Sequence, residues 1–272
     1  MDDQAKSISP KLSATKDAPN ANSKIDRIIA VVSGKGGVGK STVSSMLACA
    51  LQRQGKRVGI MDADVTGPSI PKAFGVNARL MGDADGNIVL PRSANGIPMI
   101  STNLMLDNPS QAVAWRGPVV SGVLKQFFSE TNWGELDYLV VDMPPGTSDV
   151  ALTVFQSLPV DGIIVVTSPQ DLVEMIVDKA IDLAGSMHVP VLGIVENMAS
   201  FTCPDCGSTH YLFGEPKGAQ LAQERGIPAY ATLPINPTFA ALADAGRVEE
   251  CNVDDALAPI LEQVANIHYD FE

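Results

Sequence analysis

The sequence contains no apolar run long enough to cross a bilayer, which takes about 20 residues in a helix. Residues 1–24 mix Asp, Lys, Ser, Pro and Asn and lack the apolar centre of a signal peptide. These two absences predict a cytoplasmic protein with no membrane partner.

Basic residues are scarce in the chain. Lys and Arg number 19 against 31 Asp and Glu, which gives a formal net charge of −12. The average field of such a chain repels phosphate backbones, so no nucleic acid partner is expected. A local nucleotide site is still compatible with this charge, because backbone N–H groups and one or two lysines can bind phosphate.

The four cysteines are too few and too unevenly spaced for a disulfide framework. Cys49 lies in an apolar helical stretch and is interpreted as a small buried hydrophobic residue. Cys251 follows two glutamates, which disfavour a thiolate. Cys203 and Cys206 form the single close pair, so metal or redox chemistry is expected there first.

Short apolar runs alternate with longer helical stretches from residue 28 onward. This alternation is typical of a parallel sheet buried between helices. The predicted strands are residues 28–33, 57–62, 97–102, 138–142, 162–167, 191–196 and 229–233. The predicted helices are residues 41–54, 118–130, 149–158, 172–188, 217–225, 238–245 and 254–268. A hairpin with its turn at residues 83–87 is expected to interrupt the alternation.

The domain organisation follows from the same pattern. Residues 1–24 have no apolar periodicity and are predicted to be a disordered tail, since they cannot offset the entropy of ordering. Residues 25–272 are predicted to form one α/β domain, with a mostly parallel central sheet and helices on both faces.

A phosphate-binding motif lies between the first predicted strand and the first predicted helix. Residues 34–41 read Gly-Lys-Gly-Gly-Val-Gly-Lys-Ser and match G-x-x-x-x-G-K-[ST]. Lys40 is placed to neutralise the β and γ oxygens, Ser41 to offer its hydroxyl to Mg²⁺ and Thr42 to reach the α-phosphate. The expected nucleotide-binding residues of this segment are Gly34, Lys35, Gly36, Gly37, Val38, Gly39, Lys40, Ser41 and Thr42. The motif predicts a P-loop NTPase fold with ATP and Mg²⁺ as ligands.

Carboxylates occur where two predicted strands end. Asp62 and Asp64 follow the second strand, and Asp142 ends the fourth. Because ligands bind at the C-terminal ends of parallel strands, the three carboxylates are expected to converge on the P-loop. Asp142 is interpreted as the Walker B carboxylate, followed by a switch in which the Gly146 N–H is free to contact the γ-phosphate. Helix capping or a turn is the alternative role for Asp62 and Asp64.

The second lysine of the loop, Lys35, marks the deviant Walker A class. This class includes ATPases of the MinD and ParA types, nitrogenase iron protein, arsenite-pump ATPases and the Mrp/ApbC iron-sulfur carriers. Four further stretches resemble the Mrp/ApbC family. They are DADVTGPSIP at 62–71, WRGP at 115–118, DMPPGTSD at 142–149, and ENM followed by CPDCG within 196–207. Thr66 and Ser148 stand where many members carry Tyr and Gly, and neither difference removes a ligand or a charge.

The resemblance implies an ATP-hydrolysing carrier that hands an iron-sulfur cluster to apoproteins. It implies that Lys35 reaches the nucleotide of the partner subunit in a homodimer. It also implies that Asp64 orients the hydrolytic water and that Asp62 acts through the Mg²⁺ shell. Lys35, Lys40, Asp64 and Asp142 are therefore expected to be catalytic. By the same resemblance, Asn197 hydrogen-bonds adenine and Pro234 packs on the base.

The cysteine pair leaves several chemistries open. Two thiolates cannot complete the four-thiolate shell of a [4Fe-4S] cluster, whereas a homodimer would supply four at its two-fold axis. Cys203 and Cys206 are therefore expected to hold a shared cluster, which fits the resemblance. Zinc, with His210 as a third ligand, and a dithiol redox switch are the alternatives.

Two other functions also stay open. A positioning or partition ATPase of the MinD or ParA type would bind a membrane or DNA instead of delivering a cluster. Residues 248–272 contain seven Asp or Glu and no Lys or Arg, so the basic amphipathic helix of the membrane-positioning relatives is absent. A zinc-binding, nucleotide-dependent scaffold is the third reading.

Overall fold

The computed structural model describes residues 16–65, 67–83, 86–106, 117–146, 149–169 and 173–267. The strands are β1 (Lys24–Ile25), β2 (Ile28–Ser33), β3 (Val58–Asp62), β4 (Met81–Gly82), β5 (Ile88–Val89), β6 (Met99–Ile100), β7 (Glu135–Leu136), β8 (Tyr138–Asp142), β9 (Gly162–Thr167), β10 (Val191–Asn197), β11 (Phe201–Thr202), β12 (Thr209–His210) and β13 (Tyr230–Leu233). The helices are α1 (Lys40–Arg53), α2 (Ile70–Ala73), α3 (Gly117–Ser129), α4 (Asp149–Ser157), α5 (Val173–Ser186), α6 (Gly218–Arg225), α7 (Pro237–Asp244) and α8 (Asp254–Ala265), with 3₁₀ turns at Thr102–Met105 and Val248–Glu250.

Seven parallel strands form the central sheet, in the order β13-β10-β9-β2-β8-β3-β6. Residues of β2 are buried along its whole length because both faces of the sheet are covered. Ile29 and Val31 pack into the core on the side of α1 and α8, whereas Ala30 packs on the side of α3, α4 and α5. This alternation follows from the two-residue period of a strand. The predicted α/β fold with a parallel sheet is confirmed.

The predicted strand at 97–102 is shorter than expected. Only Met99–Ile100 pairs with β3. Pro98 has no N–H to donate, and the N–H of Ile97 bonds to the Ser93 hydroxyl, 3.0 Å away. The backbone then enters a 3₁₀ turn at Thr102. The other six predicted strands have bounds within one residue of those observed.

The predicted hairpin is present as β4 and β5, which pair antiparallel. Asp83 closes its turn, because its side chain accepts a hydrogen bond from the N–H of Asn87 at 2.8 Å. No helix in the described part of the chain is long and apolar enough to cross a membrane.

The structure holds part of the predicted N-terminal tail against the body. The N–H of Asp17 donates to the carbonyl of Ser157 at 2.7 Å, and that of Lys24 donates to the carbonyl of Gly134 at 2.8 Å. Strand β1 then pairs with β7. Residues 16–24 therefore differ from the predicted tail, because backbone hydrogen bonds fix a segment that shows no apolar periodicity. Residues 1–15 lie outside the described residues.

A small antiparallel ribbon, β11–β12, extends between β10 and α6 and carries the cysteine pair at its tip. We call residues 201–210 the cysteine ribbon. Each of its strands has only two residues, too few to show a hydrophobic period, and the sequence therefore did not predict it. The Trp115-Arg116 pair, Thr66 and Ser148 lie outside the described residues.

Candidate nucleotide site and cysteine ribbon

The P-loop connects β2 to α1, and two of its glycines are required by close contacts. A Cβ atom at Gly34 would lie 2.5 Å from Cγ2 of Ile176, far inside van der Waals contact. At Gly39 the backbone has φ +82°, and a Cβ there would collide with the side-chain amide of Asn197. That amide also donates to the carbonyl of Val38 at 2.9 Å. The loop is thus pressed against α5 on one side and the end of β10 on the other.

The remaining loop residues differ in exposure. Gly36 and Gly37 are exposed, and Val38 is buried in the core beside α1. Lys35 is half-buried in the loop, and Thr42 is half-buried in the first turn of α1. The helix N-terminus faces the loop, which is the arrangement that favours bound phosphate.

Lys40 begins α1 and is almost fully buried. Its Nζ lies 2.8 Å from Oδ1 of Asp142 and 4.0 Å from Oδ2 of Asp64. Asp142 also accepts hydrogen bonds from the hydroxyls of Ser41 at 2.6 Å and Ser44 at 2.7 Å. Ser44 was not predicted from the sequence. It lies one helical turn from Lys40 and Ser41 on the same face of α1, and this spacing could have identified it.

Asp62 lies beside Asp142, because the two residues are paired in the register of β3 and β8. Its carboxylate is fully buried and accepts hydrogen bonds from the N–H groups of Ser69 and Ile70 and from the hydroxyl of Ser101. Burial and the charge of Asp142 raise the pKa of Asp62 above the usual range of a carboxyl. Ser101 was not identified from the sequence, since it lies 39 residues away along the chain.

Asp64 is nearly buried and accepts a hydrogen bond from the N–H of Gly67 at 3.2 Å. The structure therefore brings Asp62, Asp64 and Asp142 together around the ammonium group of Lys40. Electrostatic attraction to a buried lysine accounts for the presence of several carboxylates in so small a volume.

The structure corrects the expectation for Gly146. Its N–H is not free in this conformation, because it donates to the carbonyl of Ser33 at 2.8 Å. The backbone of Gly146 has φ +78°, which a glycine adopts without strain. The segment after Asp142 is thereby held to the end of β2.

A cavity of about 300 Å³ opens beside the P-loop. Gly39, Thr42 and Met46 line it on one side, and the ends of β10 and β13 line it on the others. The further lining residues include Asn197, Met198, Phe213, Leu233, Pro234, Ile235, Asn236 and Phe239. Asn197 and Pro234 therefore lie together next to the loop. We call this cavity the base pocket.

The turn between β11 and β12 carries the cysteine pair, with Cys206 exposed and Cys203 half-buried. The N–H of Gly207 donates to the carbonyl of Cys203, and the N–H of Cys203 donates to the carbonyl of Ser208, both at 2.9 Å. Hydrogen bonds from Ser208, and secondly from Cys203, lower the pKa of the exposed Cys206 thiol. A lowered pKa favours the thiolate, which is the form that binds metals.

The other two cysteines lie in apolar surroundings. Cys49 and Cys251 are buried, and burial raises the pKa of Cys49 to about 12. In the described part of the chain, no three His, Cys, Asp or Glu side chains are grouped so as to hold a metal ion. His210 therefore does not complete a three-ligand zinc site with the cysteine pair in this structure.

Comparison with known proteins shows the family. The family model ParA, described as "NUBPL iron-transfer P-loop NTPase", matches residues 24–268. The chain belongs to this family. The iron-sulfur cluster carrier protein of Clostridium perfringens is 43% identical over 244 residues, covering 87% of this chain and 86% of the relative. The carrier protein of Methanocaldococcus jannaschii is 40% identical over 261 residues, covering 93% and 90%.

Solved structures share the fold of this chain. A nucleotide-binding protein from Archaeoglobus fulgidus, solved in complex with ADP, superimposes with a TM-score of 0.77 at 40% identity, covering 90% of this chain and 93% of that one. The septum site-determining protein MinD of Pyrococcus horikoshii, complexed with Mg-ADP, has a TM-score of 0.60 at 21% identity, covering 89% and 97%. The latter likeness shows a shared fold alone. The predicted resemblance to the iron-sulfur carriers is confirmed.

Proposed function

We propose that the chain binds ATP with Mg²⁺ in the P-loop and hydrolyses it. One observation carries the proposal: Lys40, the Ser41 hydroxyl and the carboxylates of Asp62, Asp64 and Asp142 converge where α1 meets the loop. Phosphate oxygens would replace Asp142 as the partner of Lys40. Backbone N–H groups of residues 34–42 would hold the remaining phosphate oxygens.

The donor set fits Mg²⁺, a hard cation that prefers carboxylate and hydroxyl oxygens. Ser41 and Asp62 would hold the ion, which would supply charge neutralisation at the phosphates. Asp64 would orient water toward the γ-phosphorus. The water oxygen would bond to the γ-phosphorus as the bond between that phosphorus and the bridging oxygen breaks, which gives ADP and inorganic phosphate, and the proton lost by the water would pass to the solvent. Lys35 would reach across to the partner's nucleotide in a homodimer.

The base pocket fits the purine. Asn197 and Pro234 line a mostly apolar cavity next to Thr42, which is expected to reach the α-phosphate. Asn197 would hydrogen-bond the base and Pro234 would pack on it. The amide nitrogen of Asn197 already bonds to the carbonyl of Val38, so this residue couples the position of the loop to that of the base.

The cargo would be an iron-sulfur cluster, of the [4Fe-4S] type, that two copies share and pass to apoproteins. The exposed turn with Cys203 and Cys206 offers two thiols whose neighbours favour the thiolate of Cys206. Two such turns, one from each copy, would supply the four thiolates that a cluster needs. Family membership supports this cargo over zinc.

Anaerobic reconstitution with iron and sulfide tests the cargo. The wild-type chain should gain an absorption spectrum typical of a cluster and should then activate a model apoprotein. Cys203→Ala and Cys206→Ala should each lose bound iron and sulfide, whereas the buried control Cys251→Ala should keep them. Light scattering of the loaded chain should give twice the 28.6 kDa chain mass. A wild-type chain that takes up zinc but never iron and sulfide would refute the proposal.

A further inference from the structure

One wall of the base pocket comes from the segment that carries the cysteines. Phe213 lines the pocket, although it follows Cys206 by seven residues and lies beyond the cysteine ribbon. Its neighbours Tyr211 and Leu212 are exposed, and Phe213 is itself 42% exposed. An aromatic ring is thus held at the edge of a cavity with little packing around it.

The beginning of this segment is hydrogen-bonded to residues at the end of β13 that also line the pocket. Met198, with φ +59°, lines the pocket where β10 ends. The N–H of Ala199 then donates to the carbonyl of Leu233 at 2.9 Å, and the N–H of Ile235 donates to the carbonyl of Ser200 at 2.7 Å. Because Leu233 and Ile235 also line the pocket, the chain leaves the pocket wall and enters the ribbon without a flexible spacer.

The end of the segment returns to the strand from which it departs, β10. Glu196, fully buried at the end of β10, accepts hydrogen bonds from the N–H groups of Lys217 and Gly218 at 3.3 and 2.9 Å. The hydroxyl of Tyr230 donates to it at 2.7 Å. Residues 198–217 are therefore anchored at both ends to the neighbouring strands β10 and β13, and Phe213 lies between the ribbon and the second anchor.

We propose that Phe213 packs against the nucleotide base and that a bound base thereby holds the cysteine ribbon in one position. An aromatic ring offers any purine a large apolar face, and such contacts are tolerant of sequence because every base has a π-face. If a bound base restricts the position of the ribbon, then restricting the ribbon also strengthens binding of the base, because the coupling free energy between two sites is reciprocal. The inference rests on the nucleotide half of the proposed function and does not depend on the cargo.

Nucleotide affinity tests the contact. The full, metal-free chain is titrated with ADP and with inorganic triphosphate, which has no base. Phe213→Ala should weaken the affinity for ADP by about tenfold or more, which is the effect of removing one base–aromatic contact. It should leave the affinity for inorganic triphosphate unchanged. Phe213→Tyr should restore most of the ADP affinity. Tyr211→Ala is the matched control, because this half-exposed aromatic lies two residues away and does not line the pocket of the described chain.

Thiol labelling tests the effect on the ribbon. Iodoacetamide labelling of Cys206, followed by mass spectrometry, should slow when ADP is added to the wild-type chain or to Tyr211→Ala. Inorganic triphosphate should not slow it, and ADP should not slow it in Phe213→Ala. Unchanged ADP affinity in Phe213→Ala, or labelling that ADP leaves unchanged in the wild type, overturns the inference while the nucleotide site stands. A wild-type chain that binds neither ADP nor triphosphate overturns both.

Discussion

Lys40 and Asp142 form a buried ion pair at the start of α1, with Nζ 2.8 Å from Oδ1 and side-chain exposures of 6% and 0%. Neither charge reaches bulk water, so each depends on the other and on the hydroxyls of Ser41 and Ser44. A pair of this kind costs desolvation on both sides and contributes little net stability, but removing one partner leaves a buried charge without compensation.

The pair predicts strong non-additivity. Lys40→Met should abolish nucleotide binding and lower the free energy of unfolding by roughly 3–5 kcal/mol, because the Asp142 carboxylate stays buried. Combining it with Asp142→Asn should recover much of that loss, since the orphan charge is gone. Urea unfolding of the nucleotide-free single and double variants measures this coupling. Losses that simply add would show that the two residues do not depend on each other.

Asp64 is expected to act on turnover and not on binding. Asp64→Asn keeps the size and most hydrogen bonds of the side chain but removes the charge that would orient water. Its ADP affinity should stay near the wild-type value, while phosphate release from Mg²⁺-ATP should fall at least about a hundredfold. Asp178→Asn, an exposed carboxylate on α5 that pairs with Arg225, is the control and should hydrolyse normally. Wild-type turnover in Asp64→Asn would remove this residue from the mechanism.

Gly39 is predicted to be the least replaceable glycine of the loop. Alanine there would adopt a left-handed conformation that costs roughly 1–2 kcal/mol and would also strike the Asn197 amide. Gly39→Ala should therefore lower the melting temperature and weaken ADP binding. Gly36→Ala, whose added Cβ meets nothing within 4 Å, should change the melting temperature little. Truncating the clashing side chain in Gly39→Ala/Asn197→Ala should recover part of the stability, and no recovery would argue that the backbone strain alone is responsible.

The Cys206 thiol is predicted to depend on Ser208. Because the Ser208 hydrogen bonds lower the pKa of Cys206, its thiolate persists to lower pH than that of an ordinary cysteine. Ser208→Ala removes the hydroxyl but keeps the backbone, so the midpoint of the pH profile for alkylation should move to higher pH. Ser186→Ala, whose hydroxyl bonds to the carbonyl of Leu183 at the end of α5, is the control. Coincident profiles for the wild type and Ser208→Ala would contradict the assignment.

Those parts of the site that are encoded within one short segment could be predicted from the sequence. The loop at 34–41 is recognised by its own glycines and lysines, and the strand before it, β2, is a continuous apolar run. The proximity of Asp62 and Asp142 could also be predicted from the sequence, because the C-terminal ends of parallel strands lie at one edge of the sheet.

Features that depend on distant partners could not be read in this way. Ser101 bonds to a carboxylate 39 residues away, and an isolated serine carries no sign of such a partner. Phe213 lies in an exposed stretch with Tyr211 and Leu212, and only the fold of the chain places it beside the P-loop. The Gly146 N–H was expected to be free, because the motif does not encode the distant carbonyl of Ser33 to which this N–H donates.

Glu196 ties the last residues of the excursion at 198–217 to the strand from which the first ones depart. Such a loop leaves and rejoins the domain at almost one point, so its length and content are independent of the order of the central strands. Replacing it by a short turn should give a folded P-loop NTPase domain that keeps the seven-stranded sheet and lacks the cysteine pair. A different metal-binding or peptide-binding insert grafted at the same two ends would inherit a fixed position beside the base pocket. The end of β10 is thus an insertion site, at which an NTPase domain can receive a different binding segment while its core stays unchanged.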